Sequence, residues 1–407
     1  MTTSQRIRLV AVATLMQLTL GAMYAWSMFR TELAALFPGF SAADLSLNFT
    51  LCMVGFGLGG FLGGKLTGRF SPKVTVRIAA ILLFAGYLGV SFMGRLTDRS
   101  ALKLMYVCYG AVCGLGTGIG FNACLTGVSP WFPQRLGLVS GILLMGFGFG
   151  SLFLGLLAQK LSSLWNVFTV FRIYAVAIGG ILLLGSFFLR KPPTTAGLQT
   201  QTTGASAKER SDTPLQMLAS VSFWLYFLWN VIMSASGQLI LNSAANIAVF
   251  FGAAAGLGLV VSIFNGGGRP ITGVIVDKLG QFKGMLLLNG ILIAAGLLLI
   301  LTARTRSLVT MCIGMFAVGI CYGGGVTIST KVIRDLYGPE HYSVNFSLSN
   351  CCSIPAAFLG PYISGLLQDR SGGGYTSTFW MLTGMAIVAF VLIFALRLAL
   401  KLEHRDA

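Results

Sequence analysis

Charge is what this chain has least of. Only 10% of its 407 residues are Asp, Glu, Lys or Arg, and the acids number 11. A soluble domain carries about 25% charged residues because its surface must be wetted, so this composition excludes an ordinary soluble fold. Histidine is scarcer still: His341 and His404 are the two, and both fall in loops outside the apolar runs. All eleven acids lie in loops or at the ends of apolar segments. No nucleophile with its base, no metal cluster and no paired carboxylates are therefore expected within the apolar segments, which argues against a membrane-embedded enzyme and against any cofactor or metal. A chain of titratable groups that would relay a proton is missing too. The eight cysteines sit in apolar segments without CxxC spacing or a partnering His, and they read as small packing residues.

What is abundant is apolar sequence, at 55% of residues with a mean hydropathy of +0.82. Runs such as 9–29 and 379–396 approach the roughly 20 residues that cross about 30 Å of hydrocarbon. Breaking the chain at charge and Pro/Gly clusters gives twelve expected spans, near 8–29, 44–66, 74–94, 102–127, 136–159, 168–189, 219–241, 250–275, 284–303, 307–330, 344–367 and 376–399. The first run follows Arg6 and Arg8 as a signal peptide would, but it is too long and lacks a small-residue cleavage site, so it reads as span 1.

The net charge of +17 is spread over short loops rather than gathered on one basic face, so no nucleic-acid partner is expected. Lys and Arg are about twice as frequent on the side that holds the N-terminus. This places both termini and the segment 191–214 in the cytoplasm. That segment, rich in Thr, Ser, Gly and Pro, cannot pack a core and reads as a linker between 1–190 and 215–407, with six spans on each side. A multi-pass protein of the bacterial cytoplasmic membrane, working as a monomer, is the expectation.

One charge lies well inside a span. Arg269, in VVSIFNGGGRPITGVIV of span 8, is flanked by apolar residues. A charge at that depth costs about 2.5–3.5 kcal/mol on insertion scales and is rare unless it faces a cavity with a partner. More than a turn separates Arg269 from Asp277, which makes snorkelling awkward, and no acid is available within the spans. An intramembrane cation without an internal anion implies an anion supplied from outside, gripped by the guanidinium fork. A drug or cation exporter would need a buried acid in its place. A sensor that binds without translocating would keep the same cation. The Gly-rich stretches 114–120 and 146–150 lie within spans with no preceding strand, so they read as close helix packing rather than phosphate loops.

The two halves resemble each other. GKLTGRFSPK (64–73) stands between spans 2 and 3, and GVIVDKLGQFK (273–283) between spans 8 and 9. Gly273, Asp277, Lys278 and Gly280 are in register in the second copy, while the first has Gly64 and Arg69 but Gly68 at the acidic position. Aromatic turns, WFPQR (131–135) and LYGPEH (336–341), follow spans 4 and 10. This duplication resembles the major facilitator superfamily. That resemblance implies an all-α protein of two pseudo-symmetric six-helix bundles, with the substrate near mid-membrane between them and the loop motifs acting in gating.

The combination of IFNGGGRP, the WFPxRxGL run from Trp131 to Leu138, Phe223–Trp224 opening span 7 and GxxYAWS from Gly21 to Ser27 is similar to the oxalate/formate antiporter family, close to the monocarboxylate transporters. The resemblance implies that Arg269 is the anion-binding arginine. It puts the oxalate exchanger's second cation near Ser353, and a dianion would lose that partner here. Tyr24 and Tyr322 keep cavity aromatics, whereas Phe121, Phe147 and Val326 stand where the exchanger has tyrosines. One cation and fewer hydroxyls suit a monocarboxylate such as formate, lactate, pyruvate or acetate better than oxalate. Asn265 occupies the position of the acid found one turn before the arginine in proton-linked relatives, so uniport or exchange is expected more than obligate proton symport. Asn122 and Asn350 would either line the cavity or bond between helices.

Overall fold

The structure is a computed structural model that describes residues 3–128, 131–132, 136–190, 212–338 and 341–403. Among the described residues, eleven helices are long and apolar enough to cross a membrane. They are α1 (Ser4–Leu36), α2 (Ala42–Thr67), α3 (Pro72–Arg95), α4 (Asp98–Val128), α5 (Gly141–Leu164), α6 (Val167–Ser186), α7 (Val221–Phe250), α8 (Ala255–Leu279), α9 (Gln281–Thr305), α10 (Leu308–Tyr337) and α12 (Thr376–Leu402). The expected eleventh span is also helical but broken: α11 covers 342–370 in pieces, with turns at Cys351–Cys352 and a π segment at Phe358–Tyr362 around Pro361. Its buried face is polar, with Asn345, Ser349, Ser364 and Gln368.

Local chemistry sets the ends. Ser41 and Asp44 form a capping box at the start of α2, and Ser71 caps α3 with Pro72 in its first turn. Gly280 and Gly338, both at φ 82°, terminate α8 and α10 where a side chain would be strained. The interiors are less regular than the hydropathy suggests. Gly21–Ala25 tightens α1 into a 3₁₀ turn, and Tyr106–Cys113 is a π segment within α4.

The packing repeats with a shift of six helices. Contacts of α1 with α5, α2 with α4 and α3 with α6 recur as α7 with α11, α8 with α10 and α9 with α12. The first six helices meet the second six along α2–α11 and α5–α8, which exchange under the same shift, and along α1–α7 on the axis between them. Trp26, Phe29, Tyr87, Tyr109, Phe171 and Tyr174 interlock as the aromatic core of the first six. In the second, Trp229 donates to Asn289 Oδ1 (3.2 Å), whose Nδ2 donates to the Ala386 carbonyl (2.7 Å). Outward-facing Ile81, Val176, Leu184, Val391 and Leu398 are exposed, as a lipid-facing surface requires.

Two expectations need correction. Span 1 runs on to Leu36 rather than stopping near residue 29, which brings Arg30 inside a membrane helix. Span 7 reaches Phe250, so span 8 starts later than residue 250. Of the expected linker, 191–211 lies outside the described residues. Its end is fixed to the second six, where the Asp212 amide donates to the Tyr337 carbonyl (2.9 Å) and Thr213 caps the short helix Pro214–Ala219.

Candidate functional site

The site is built on α8. Its buried face carries Asn265, Gly266, Gly268, Arg269 and Thr272. Glycines bring backbones together on two sides of that face. A Cβ on Gly268 would come within 2.8 Å of the Ile320 carbonyl, and one on Gly323 would collide with the Asn265 carbonyl, so α8 lies directly on α10. A Cβ on Gly148 would come within 2.8 Å of Gly266 Cα, which sets α5 of the first six against the same helix. Pro270 cannot donate to the carbonyl one turn back, and Thr327 Oγ1 donates to the Arg269 carbonyl at 3.2 Å. Arg269 is thus held at the seam between the halves.

Arg269 is 4% exposed, and its Nε and Nη1 are buried without a hydrogen-bond partner. Among the described residues the ion pair found is Asp277–Lys331, far along α8, so no acid neutralises Arg269 by contact. Tyr24 and Tyr322 lie in its electrostatic range. Their hydroxyls share a 2.9 Å hydrogen bond that joins α1 to α10 across the seam. Tyr322 is pinned over Gly237, where any Cβ would strike its ring. Behind Tyr24 stands an apolar wall. Phe147 packs edge-on against it with ring centroids 5.3 Å apart, and Phe121 and Phe56 complete the cluster. Sequence reasoning missed Phe56, which is one phenylalanine among 30 and carries no local signal.

The other expected residues are distributed around this centre. Asn265, fully buried one turn before Arg269, has neither amide atom bonded. Ser353 lies at the α2–α7–α11 seam beside Gly57. Its Oγ is unbonded, and its carbonyl accepts from Gln238 Nε2 at 3.5 Å. Asn122 faces Gly64 on the α2–α4 contact, with Oδ1 unbonded. Of the loop residues, Asp277 pairs with Lys331 (3.1 Å), Lys278 is exposed and Arg69 lies over the Phe70 ring, whereas Gly273 is one turn beyond Arg269 on α8, where a Cβ would lie 3.6 Å from Thr327.

A second buried arginine went unread in the sequence. Arg30, 2% exposed, donates to Ser243 Oγ (2.5 Å), Gln368 Oε1 (3.1 Å) and more weakly to the Ala42 carbonyl (3.5 Å). Around it, Thr31 bonds Asn246 and Asn242 bonds Ser46. The Asp369 carboxylate accepts from the Ala42 and Ala43 amides, both at 2.9 Å. Apart from the bond to the Ala42 carbonyl, which stays within the first six helices, these contacts tie the first six to the second at the Ala42 end of the molecule.

The family model described as Major Facilitator Superfamily matches over residues 9–304 and again over 218–406. An oxalate:formate antiporter of Oxalobacter formigenes is 27% identical over 94% of this chain and 89% of its own length. Monocarboxylate transporter 1 of Homo sapiens is 21% identical over 93% and 82%. Among solved structures, the partially occluded inward-open xylose transporter XylE from E. coli superposes with a TM-score of 0.75 at 14% identity, covering 96% of this chain and 99% of that one. A bacterial homolog of the human lysosomal transporter Spinster, inward-facing, gives 0.71 at 15% identity over the whole of both chains.

Proposed function

Because the chain belongs to the major facilitator superfamily, a family of multi-pass membrane transporters, we propose that it carries a small monocarboxylate, such as formate, lactate or pyruvate, by alternating access, with Arg269 gripping the carboxylate. The observation that carries this reading is the Arg269 guanidinium, buried at the seam with two nitrogens unbonded and no acid against it. A carboxylate is the group that completes such a fork. The Tyr24–Tyr322 hydroxyl pair supplies further donors, and the Phe56, Phe121 and Phe147 wall accommodates a short apolar tail. Ser353 offers a hydroxyl where a second carboxylate would need a cation, so a dianion would be left half-paired at a cost of several kcal/mol. Asn265 does not titrate, which favours uniport or exchange over proton symport.

In this reading 1–190 and 215–407 move as two bodies of a monomer in a bacterial cytoplasmic membrane. The charge bias puts both termini inside, so the Ala42 end faces outward. Proteoliposome uptake tests the assignment. Arg269→Gln should lower uptake of labelled monocarboxylate at subsaturating concentration by about 100-fold, as for truncation of one partner of a buried charge pair. Uptake at the parental rate overturns it. A protein that binds the acid but moves none would be a sensor.

The similarity to an oxalate:formate antiporter favours a second reading, exchange of a dicarboxylate. Oxalate competing as well as formate or lactate would select it.

A further inference from the structure

A cleft at the Ala42 end takes no part in the carboxylate site just described. It has a volume of about 470 Å³ and opens between the outer ends of α1, α5 and α6, within the first six helices. Its polar lining is Glu32, Gln159, Ser162, Ser163 and Asn166, one acid with four neutral groups and no base. Glu32 is half-buried one turn before the end of α1, with Ser162 beside its carboxylate. Among the described residues no Lys or Arg pairs with it. Arg30 is turned away, because two residues along a helix is a rotation of about 200°, and its guanidinium is engaged by Ser243 and Gln368. A partly desolvated carboxylate without a cation calls for one from outside. The volume sets its size. At about 30 Å³ per water, the cleft has room for far more than a bare ion, whose oxygen ligands would have to close to about 2.5 Å.

We propose that this cleft holds the primary-amine head group of a phospholipid, with its ammonium against Glu32. Oxygens of Glu32, Gln159 and Ser163 accept the N–H donors of a primary ammonium. A quaternary ammonium has no such donors, and a head group whose only charge is negative would meet Glu32 with like charge. The surface beside the cleft assigns the amine to a lipid. Leu36 forms part of the lining and is itself exposed. Along α5, Phe153, Leu157, Lys160 and Leu164 recur at helical spacing, and all four are exposed. Ser163 Oγ donates to the Lys160 carbonyl at 2.8 Å and so joins this stripe to the cleft. Leu157 and Phe153 lie about 4.5 Å and 10 Å deeper than Lys160 along the helix axis. Acyl chains would run beside them while the Lys160 ammonium reaches the phosphate. Trp165, exposed at the same end, stands at the depth where indoles meet head groups. The cleft also borders the seam, since a Cβ on Gly256 of α8 would lie 3.4 Å from Gln159 Oε1. A bound head group ties α1 to α5 and α6 beside the closed outer end.

The test is lipid binding by native mass spectrometry, with thermal unfolding in nanodiscs as a second readout. Neither depends on transport, so the outcome is independent of the carboxylate assignment. The probes are phosphatidylethanolamine, phosphatidylcholine and phosphatidylglycerol with identical acyl chains. The parental protein should bind phosphatidylethanolamine about tenfold more tightly than the other two, as one charge-assisted hydrogen bond would give, and should melt higher in its presence. Glu32→Gln should bring the three lipids to the same affinity. Lys160→Gln should weaken all three alike and keep their order, because the phosphate is common to them. Equal affinities in the parental protein overturn the proposal, and so does a preference that survives Glu32→Gln. Free ethanolamine, added in detergent without lipid, distinguishes the source of the amine. If it raises the melting temperature as far as phosphatidylethanolamine does, the cleft takes a soluble amine and the lipid assignment falls. Should Glu32→Gln not fold, Gln159→Leu takes its place, and an undiminished preference for phosphatidylethanolamine overturns the proposal.

Discussion

At the scale of single residues, two arginines with similar burial have opposite surroundings. Arg30 is satisfied by oxygens from both halves, whereas Arg269 has nitrogens left over and a tyrosine pair beside it. Arg269 was legible in the sequence because any charge deep in an apolar run must be explained. Arg30 was not, since hydropathy places a span end only to within several residues, and one residue decided whether Arg30 was in or out. Asn265 gives a prediction at this scale. Asn265→Asp would put an acid one turn from Arg269 on the same face, where its ionised form competes with substrate for the guanidinium. Anion binding should weaken about tenfold at neutral pH and recover as pH falls, because protonation neutralises the aspartate and frees Arg269. The parental protein should lack that recovery, and formate binding followed across pH would check it.

At the scale of helices, the site depends on how closely α8 approaches α10 and α5. A Cβ on Gly323 would fall onto the Asn265 carbonyl, while one on Gly267, on the other side of α8, meets open space. Gly323→Ala should therefore destabilise the protein by about 1–3 kcal/mol, the usual cost of overpacking, and Gly267→Ala should be close to neutral. Thermal unfolding in detergent would compare the two; equal melting temperatures would argue that the α8–α10 contact is looser than described. The sequence marked the stretches 114–120 and 146–150 as close packing, which covers Gly148 but not Gly323, and it could not say which backbone a glycine faces. The breaks in α1, α4 and α11 were hidden as well, because 3₁₀ and π turns have the same composition as the helices around them.

For the whole molecule, the polar contacts at the Ala42 end bridge the first six helices and the second six, which the proposed alternating access would separate there. Thr31 and Asn246 are hydrogen-bonded across that seam at 3.2 Å. The double replacement Thr31→Cys with Asn246→Cys, oxidised, should abolish uptake, and reduction should restore it. Each single replacement should transport normally under both conditions. Uptake that survives a verified crosslink would mean that this end need not open.

The sequence by itself determined that the chain crosses a membrane many times, that it is duplicated, and that one cation lies deep within span 8. All three follow from local quantities: the length of apolar runs, the spacing of repeated turns and the cost of a charge in hydrocarbon. Only the tertiary structure decided which side chains share the seam with Arg269. It joined Tyr24 to Tyr322, enlisted Phe56, set Asn122 against Gly64, paired Asp277 with Lys331, and brought Arg30 to Ser243 and Gln368. These pairings span residues far apart in the chain, and they are fixed by the register of glycine-lined helices against one another, which no periodicity along a single helix encodes.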